Sequence, residues 1–281
     1  MSPALPRLTL SCTALLFAGA ALAADVIPAA GENIDTSSKS VRVPAGIAVG
    51  VIDTASGDVL LESGAISRNI DTGSGGVELA SGASAGRIDT GSGGVRLGAD
   101  AQCGVIDTGS GGVHLGNGAK TEAIDTGSGG VYGGERVVVD GDIDTGSGSV
   151  RLDAGSIVRG KIDTGSGEVD LTGVTVERGI DTGSGHVTLV DSRVGRDVVS
   201  TNGEIRLEGV SAVAGDLVIR KSRCWGWCWS DDKATRVVIG AGASVGGEIR
   251  IEHEAELWVH EQARIGRVSG AEVRRFSGER P

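Results

Sequence analysis

The sequence predicts an all-β fold: a single-stranded parallel β-helix (β-solenoid) of about twelve coils of 18–19 residues. Three observations predict it. The string Asp-Thr-Gly-Ser-Gly occurs seven times, beginning at Asp71, Asp89, Asp107, Asp125, Asp144, Asp163 and Asp181, in steps of 18 residues with two of 19. Within each step apolar residues recur two apart, the period of a strand. Gly-Ser-Gly clusters separate these short segments as turns do.

Each coil is justified in order. Counting the Ile before each Asp as position one, position three is Thr, position eight is almost always Val and position ten mostly Leu, as in Ile70, Thr72, Val77 and Leu79. Small or aliphatic residues follow near positions fourteen and sixteen, such as Ala83 and Ala85. A coil therefore holds two clear strands and a weaker third. One coil cannot bury its own apolar side, whereas stacking at a spacing of about 4.8 Å makes a continuous core. Weaker copies precede the run at Asp35 and Asp53, and Val198, Leu217, Ile249 and Val268 continue the period beyond it. The spacings are uneven rather than strictly sixfold, which favours a right-handed helix over a left-handed one.

Residues 1–23 read as a signal peptide: Arg7, an apolar run from Leu8 to Leu22, and Ala21-Leu22-Ala23 as the cleavage site. A competing lipoprotein reading would end at Cys12, but Thr9 stands where an aliphatic residue is needed. Residues 24–33 form a lead-in, 34–270 the solenoid with an insertion at about 220–233, and 271–281 a charged tail. No later apolar run reaches the ~18 residues of a transmembrane helix. The expected location is exported: periplasmic, cell-surface or extracellular. A formal charge of −11 makes nucleic acid an unfavourable partner.

The repeating Ile-Asp-Thr-Gly-Ser-Gly-x-Val-x-Leu unit behind its signal segment resembles the adhesin-type β-strand-repeat families of exported bacterial proteins. The stretch Gly242-Ala243-Ser244-Val245-Gly246-Gly247-Glu248-Ile249 resembles bactofilin repeats, which polymerise end to end. These resemblances imply a structural or adhesive protein and bring no catalytic residues. The expected function is thus non-catalytic, with glycan or a surface protein as partner. The alternatives are a filament built through coil ends and, further off, a polysaccharide-active enzyme.

Several motifs carry competing chemistry. Asp-Thr-Gly-Ser matches pepsin-like proteases, but that reaction needs two carboxylates about 3 Å apart between two lobes. Here Asp35, Asp53, Asp71, Asp89, Asp107, Asp125, Asp144, Asp163 and Asp181 instead form an outward column. Neighbouring charges at about 4.8 Å repel by roughly 1 kcal/mol in water. An Asx-turn, each carboxylate accepting the following Gly and Ser N–H groups, is the expected compensation. Bound Ca²⁺ is the alternative, and no other cofactor is expected. The Thr column is expected to face inward and to hydrogen-bond along the stack.

The insertion holds Arg223, Cys224, Trp225, Trp227, Cys228 and Trp229. Cys224 and Cys228 are expected to pair as a disulfide in an oxidising compartment. Trp225, Trp227, Trp229 and Arg223 are the expected recognition residues, against the plainer reading that the loop covers a coil edge. Cys103 falls at position sixteen and is expected to be a buried thiol. His253 and His260 lack metal-protease spacing, and strand alternation places His253 with Ile249 and Ile251 while His260 faces away. Two Gly-x-Ser-x-Gly strings, at Gly82 and Gly242, have no helix after them and read as turns.

Overall fold

The computed structural model describes residues 25–221 and 235–281. All regular structure there is β, arranged as two parallel sheets of 20 and 13 strands wound into one solenoid. Coil starts stack in register from Ile34 through Ile52, Ile70, Ile88, Ile106 and Ile124. The column continues through Ile143, Ile162, Ile180, Val198, Leu217, Ile249 and Val268. The 13 strands of the second sheet make thirteen coils, one more than the repeat spacing implied.

The cross-section follows from the repeat. Ile-Asp-Thr strands such as Ile34–Thr36 form the first face and Val-x-Leu strands such as Val77–Leu79 the second. The third segment runs straight into the first face in the early coils, as in the seven-residue strand Ile66–Thr72. Positions one, three, eight and ten point inward, and Ile70, Thr72, Val77 and Leu79 are each no more than 2% exposed. Full burial of each such aliphatic side chain contributes about 1.5–3 kcal/mol before chain entropy is set against it.

From the sixth coil the third corner gains a residue. Ala85 and Ile88 are buried three apart, whereas Val139 and Ile143 are buried four apart, and so are Val158 and Ile162. The extra residue breaks the long strand into two, Val138–Val139 and Ile143–Thr145. It also accounts for the first step of 19. The solenoid extends past residue 270: Val273–Phe276 pairs with Ala255–His260 as the last strand of the second face, so the expected tail supplies part of the thirteenth coil. At the other end Val26 of the lead-in bridges to Val41.

Candidate functional site

The first face carries the aspartates. Asp35, Asp53, Asp71, Asp89, Asp107, Asp125, Asp144, Asp163 and Asp181 are direct parallel neighbours, as the stacking required. Their expected role in the turn is taken by threonine. The N–H of Gly73 and of Ser74 donate to the carbonyls of Thr54 and Ala55 in the preceding coil, so neither is left for Asp71. The turn closes instead on the buried hydroxyl. Thr108 Oγ1 accepts the N–H of Gly111 at 2.8 Å and donates to the Gly111 carbonyl at 3.0 Å. Bonds along the stack are the longer ones, such as Thr108 Oγ1 to the Gly93 carbonyl at 3.4 Å. The inward hydroxyl column is thus a set of turn clasps more than a vertical ladder.

Cations on the same face offset the carboxylates. Arg87 bridges Asp89 and Asp107 at 3.1 and 3.2 Å, and Lys161 bridges Asp144 and Asp163 at 3.2 and 2.8 Å. Arg220 reaches Asp181 at 3.1 Å. The hydrogen bond to Asp163 is the largest cause holding the Lys161 ammonium above its usual range. Asp125 sits between these two clamps, and Asp71 sits beside the first of them. Partial burial raises both carboxyls, and neighbouring charges, Asp89 and Asp53 for one and Asp107 and Asp144 for the other, raise them further. Among the described residues no group of three or more His, Cys, Asp or Glu side chains converges in the manner of a metal centre.

The recognition residues Arg223, Trp225, Trp227 and Trp229, and the pair Cys224 and Cys228, lie outside the described residues. The flanks place the insertion's exit. Ile219 occupies the threonine slot of the eleventh coil, and the chain resumes with the strand Thr235–Ile239 of the second face. The insertion therefore leaves where other coils make the Gly-Ser-Gly turn. His253, from the coil above, spans the interval: its Nε2 is 2.8 Å from the carbonyl of Thr201, two coils below. Its ring is thus in the turn region rather than beside Ile249 and Ile251. His260 is buried, meets Phe276 edge-on at 5.1 Å and accepts the Gln262 N–H on Nδ1. The two histidines serve separate packing roles.

Cys103 is a buried thiol, pushed up to about 12 by desolvation and then by the charge of Glu122. It borders a shallow cleft of about 610 Å³ on the third face, lined also by Ile66, Gln102 and Lys120.

The second face carries a feature the repeat did not announce. Its outward rank runs Glu78, Arg96, His114, Tyr132, Arg151 and Asp170 in register, one residue per coil. His114 stacks on Tyr132 with ring centres 5.1 Å apart, and Arg151 pairs with Asp170 at 2.8 Å. Two shallow grooves of about 420 and 350 Å³ follow this rank from Ser40 to Asp153. Writing the coils beneath one another would have exposed the rank, since position nine is the variable outward residue between two buried ones.

No helix among the described residues is long and apolar enough to cross a membrane. No curated protein and no solved structure matches the chain. Residues 105–218 match the family model described as Toastrack DUF4097, so over the coils from Ile106 to Leu217 the chain is similar to that β-strand-repeat family.

Proposed function

We propose that the protein is an exported, non-catalytic scaffold whose rigid coils present ranks of side chains to a partner outside the cytoplasm. One observation carries this reading: thirteen coils in register turn each outward position into a straight row of side chains. The core supports rigidity, since every buried side-chain nitrogen or oxygen among the described residues has a hydrogen-bond partner. The apolar segment ending at Ala23 supports export. Adhesion to glycan or to a surface protein is the form of presentation the reading favours. The Trp225, Trp227 and Trp229 group is its sequence-based contact.

Fractionation of cells expressing a C-terminally tagged chain, with N-terminal sequencing of the product, tests export. The expected result is protein beginning at Ala24 outside the cytoplasm. Uncleaved protein confined to the cytosol overturns the reading. A glycan array comparing wild type with a Trp225, Trp227 and Trp229 triple Ala variant tests the contact, and equal binding by both removes it. Melting unchanged by chelator removes Ca²⁺ from the aspartate column.

Self-assembly is a second reading, favoured by the terminal strands. Val268–Ser269 and Val273–Phe276 each pair on one side only, and an open parallel edge is a template for further strands. Light scattering that reports a monomer at high concentration discards it.

A further inference from the structure

The strip beside the second-face rank is lined by donors without acceptors. In three coils the N–H at position seven donates to the position-seven side chain of the coil before it. Asp58 Oδ1 accepts the Gly76 N–H at 2.8 Å, Ser149 Oγ the Glu168 N–H at 3.1 Å, and His186 Nδ1 the Glu204 N–H at 3.0 Å. In between, position seven is Gly76, Gly94, Gly112 and Gly130, so the next N–H groups up have no side chain to meet. Among the described residues nothing accepts the N–H of Gly94, Gly112, Gly130 or Ser149, although the carbonyls of these residues accept from Val77, Val95, Val113 and Val131.

The coil wall does not require these glycines throughout. A Cβ on Gly76 would meet nothing closer than 3.6 Å and one on Gly112 nothing closer than 3.4 Å, and neither residue has positive φ. Their consequence is a comb of four backbone donors at the coil spacing of about 4.8 Å. Arg96, which makes no ion pair among the described residues, stands beside the comb, and Arg151 closes its far end.

We propose that this strip binds an extended acidic glycan, its chain lying along the solenoid axis. The N–H comb would bond hydroxyl and carboxylate oxygens of successive sugars, and Arg96 would pair with a carboxylate. Free backbone donors in a row beside Arg96 suit a ligand rich in acceptors. A polyphosphate chain meets the same donors but carries a charge at every link, which the overall −11 charge opposes more strongly. An acidic glycan spreads its charges among neutral hydroxyls. The aspartate column lies on another face and is screened beyond about 8 Å at physiological salt.

The test is independent of export. Purified protein lacking residues 1–23 is titrated with oligogalacturonate, neutral dextran of equal length, and single-stranded DNA. Three forms are compared: wild type, a Gly76→Ser/Gly112→Ser double variant, and Arg96→Gln. Serine caps two N–H groups as Ser149 does, without adding charge. The expected result is preference for oligogalacturonate, weakened about threefold to tenfold by the double variant and about tenfold by Arg96→Gln. Circular dichroism melts are expected to remain at the wild-type temperature for all three. No preference over dextran, tighter binding of DNA, or unchanged affinity in correctly folded variants overturns the proposal.

Discussion

Gly111→Ala should destabilise the solenoid severely while Gly76→Ala, in an equivalent turn one residue along, should not. Gly111 is the sixth residue of its coil and faces the backbone of the coil before. An added Cβ would lie 2.7 Å from the Gly94 nitrogen and closer still to the Gly93 carbonyl carbon and oxygen. Those are backbone atoms held in a turn, so relief requires the two coils to part. Overpacking of this kind costs about 1–3 kcal/mol, occasionally more. Parting the coils also strains both Thr108 clasps to Gly111, worth about 1 kcal/mol each. The sum is about 4 kcal/mol. At Gly76 the nearest atom to an added Cβ is 3.6 Å away, an ordinary contact. Loss of unfolded-state freedom then makes Gly76→Ala neutral to stabilising by about 0.4–1 kcal/mol. Urea unfolding followed by far-ultraviolet circular dichroism compares the midpoints. Stabilities of the two variants within about 1 kcal/mol of each other would refute the argument that backbone contact between coils selects the glycine.

Thr108→Val keeps the volume but leaves the Gly111 N–H without its clasp in a buried turn. It should cost about 2–3 kcal/mol, and Thr108→Ser, which keeps the hydroxyl, clearly less in the same urea assay. Asp71 and Asp125 have carboxyls raised in the folded state, so the fold binds more protons than the unfolded chain between the ordinary and the raised value. Their contribution to stability therefore falls as pH rises through that window and is least favourable at neutral pH. Asp71→Asn and Asp125→Asn should raise the melting temperature at pH 7 and flatten its dependence on pH in thermal scans; a lower melting temperature at neutral pH contradicts this. Cys103, with its thiol pushed up to about 12, should resist a disulfide reagent at neutral pH in a variant whose other cysteines are serine. Rapid labelling of the folded protein would show that the residue is not shielded.

Much of the fold is legible in the sequence, because a five-residue string repeating at a step of 18 or 19 admits few architectures. Ile, Thr, Val and Leu were assigned inward by alternation, and all four are. The division of labour within Asp-Thr-Gly-Ser-Gly was not legible. Both side chains can clasp the following turn, and the choice depends on where the Gly73 and Ser74 N–H groups go, which is to the coil before. That is a contact between residues distant in the chain. The added corner residue at Val139 was hidden for a related reason: the coil from Ile162 to Ile180 returns to a step of 18 by closing another corner, with Leu171 and Val174 buried three apart. The donor strip was missed because a single coil holds only one of its N–H groups. Its signal is vertical: four glycines in one column where neighbouring coils carry Asp58, Ser149, Glu168 and His186.

The clasp between threonine and glycine has a consequence for how such a molecule can change. Where the eleventh coil gives up its turn to the insertion, the slot passes from Ser200 to Ile219 and then Ile251, both buried. From the second coil to the tenth a hydroxyl at position three and a glycine at position six stand together, whereas in the first coil Thr36 Oγ1 accepts the N–H of Lys39 in the glycine's place. A loop spliced into any other coil at this corner should be tolerated best when the threonine beneath it is replaced by an aliphatic residue in the same step.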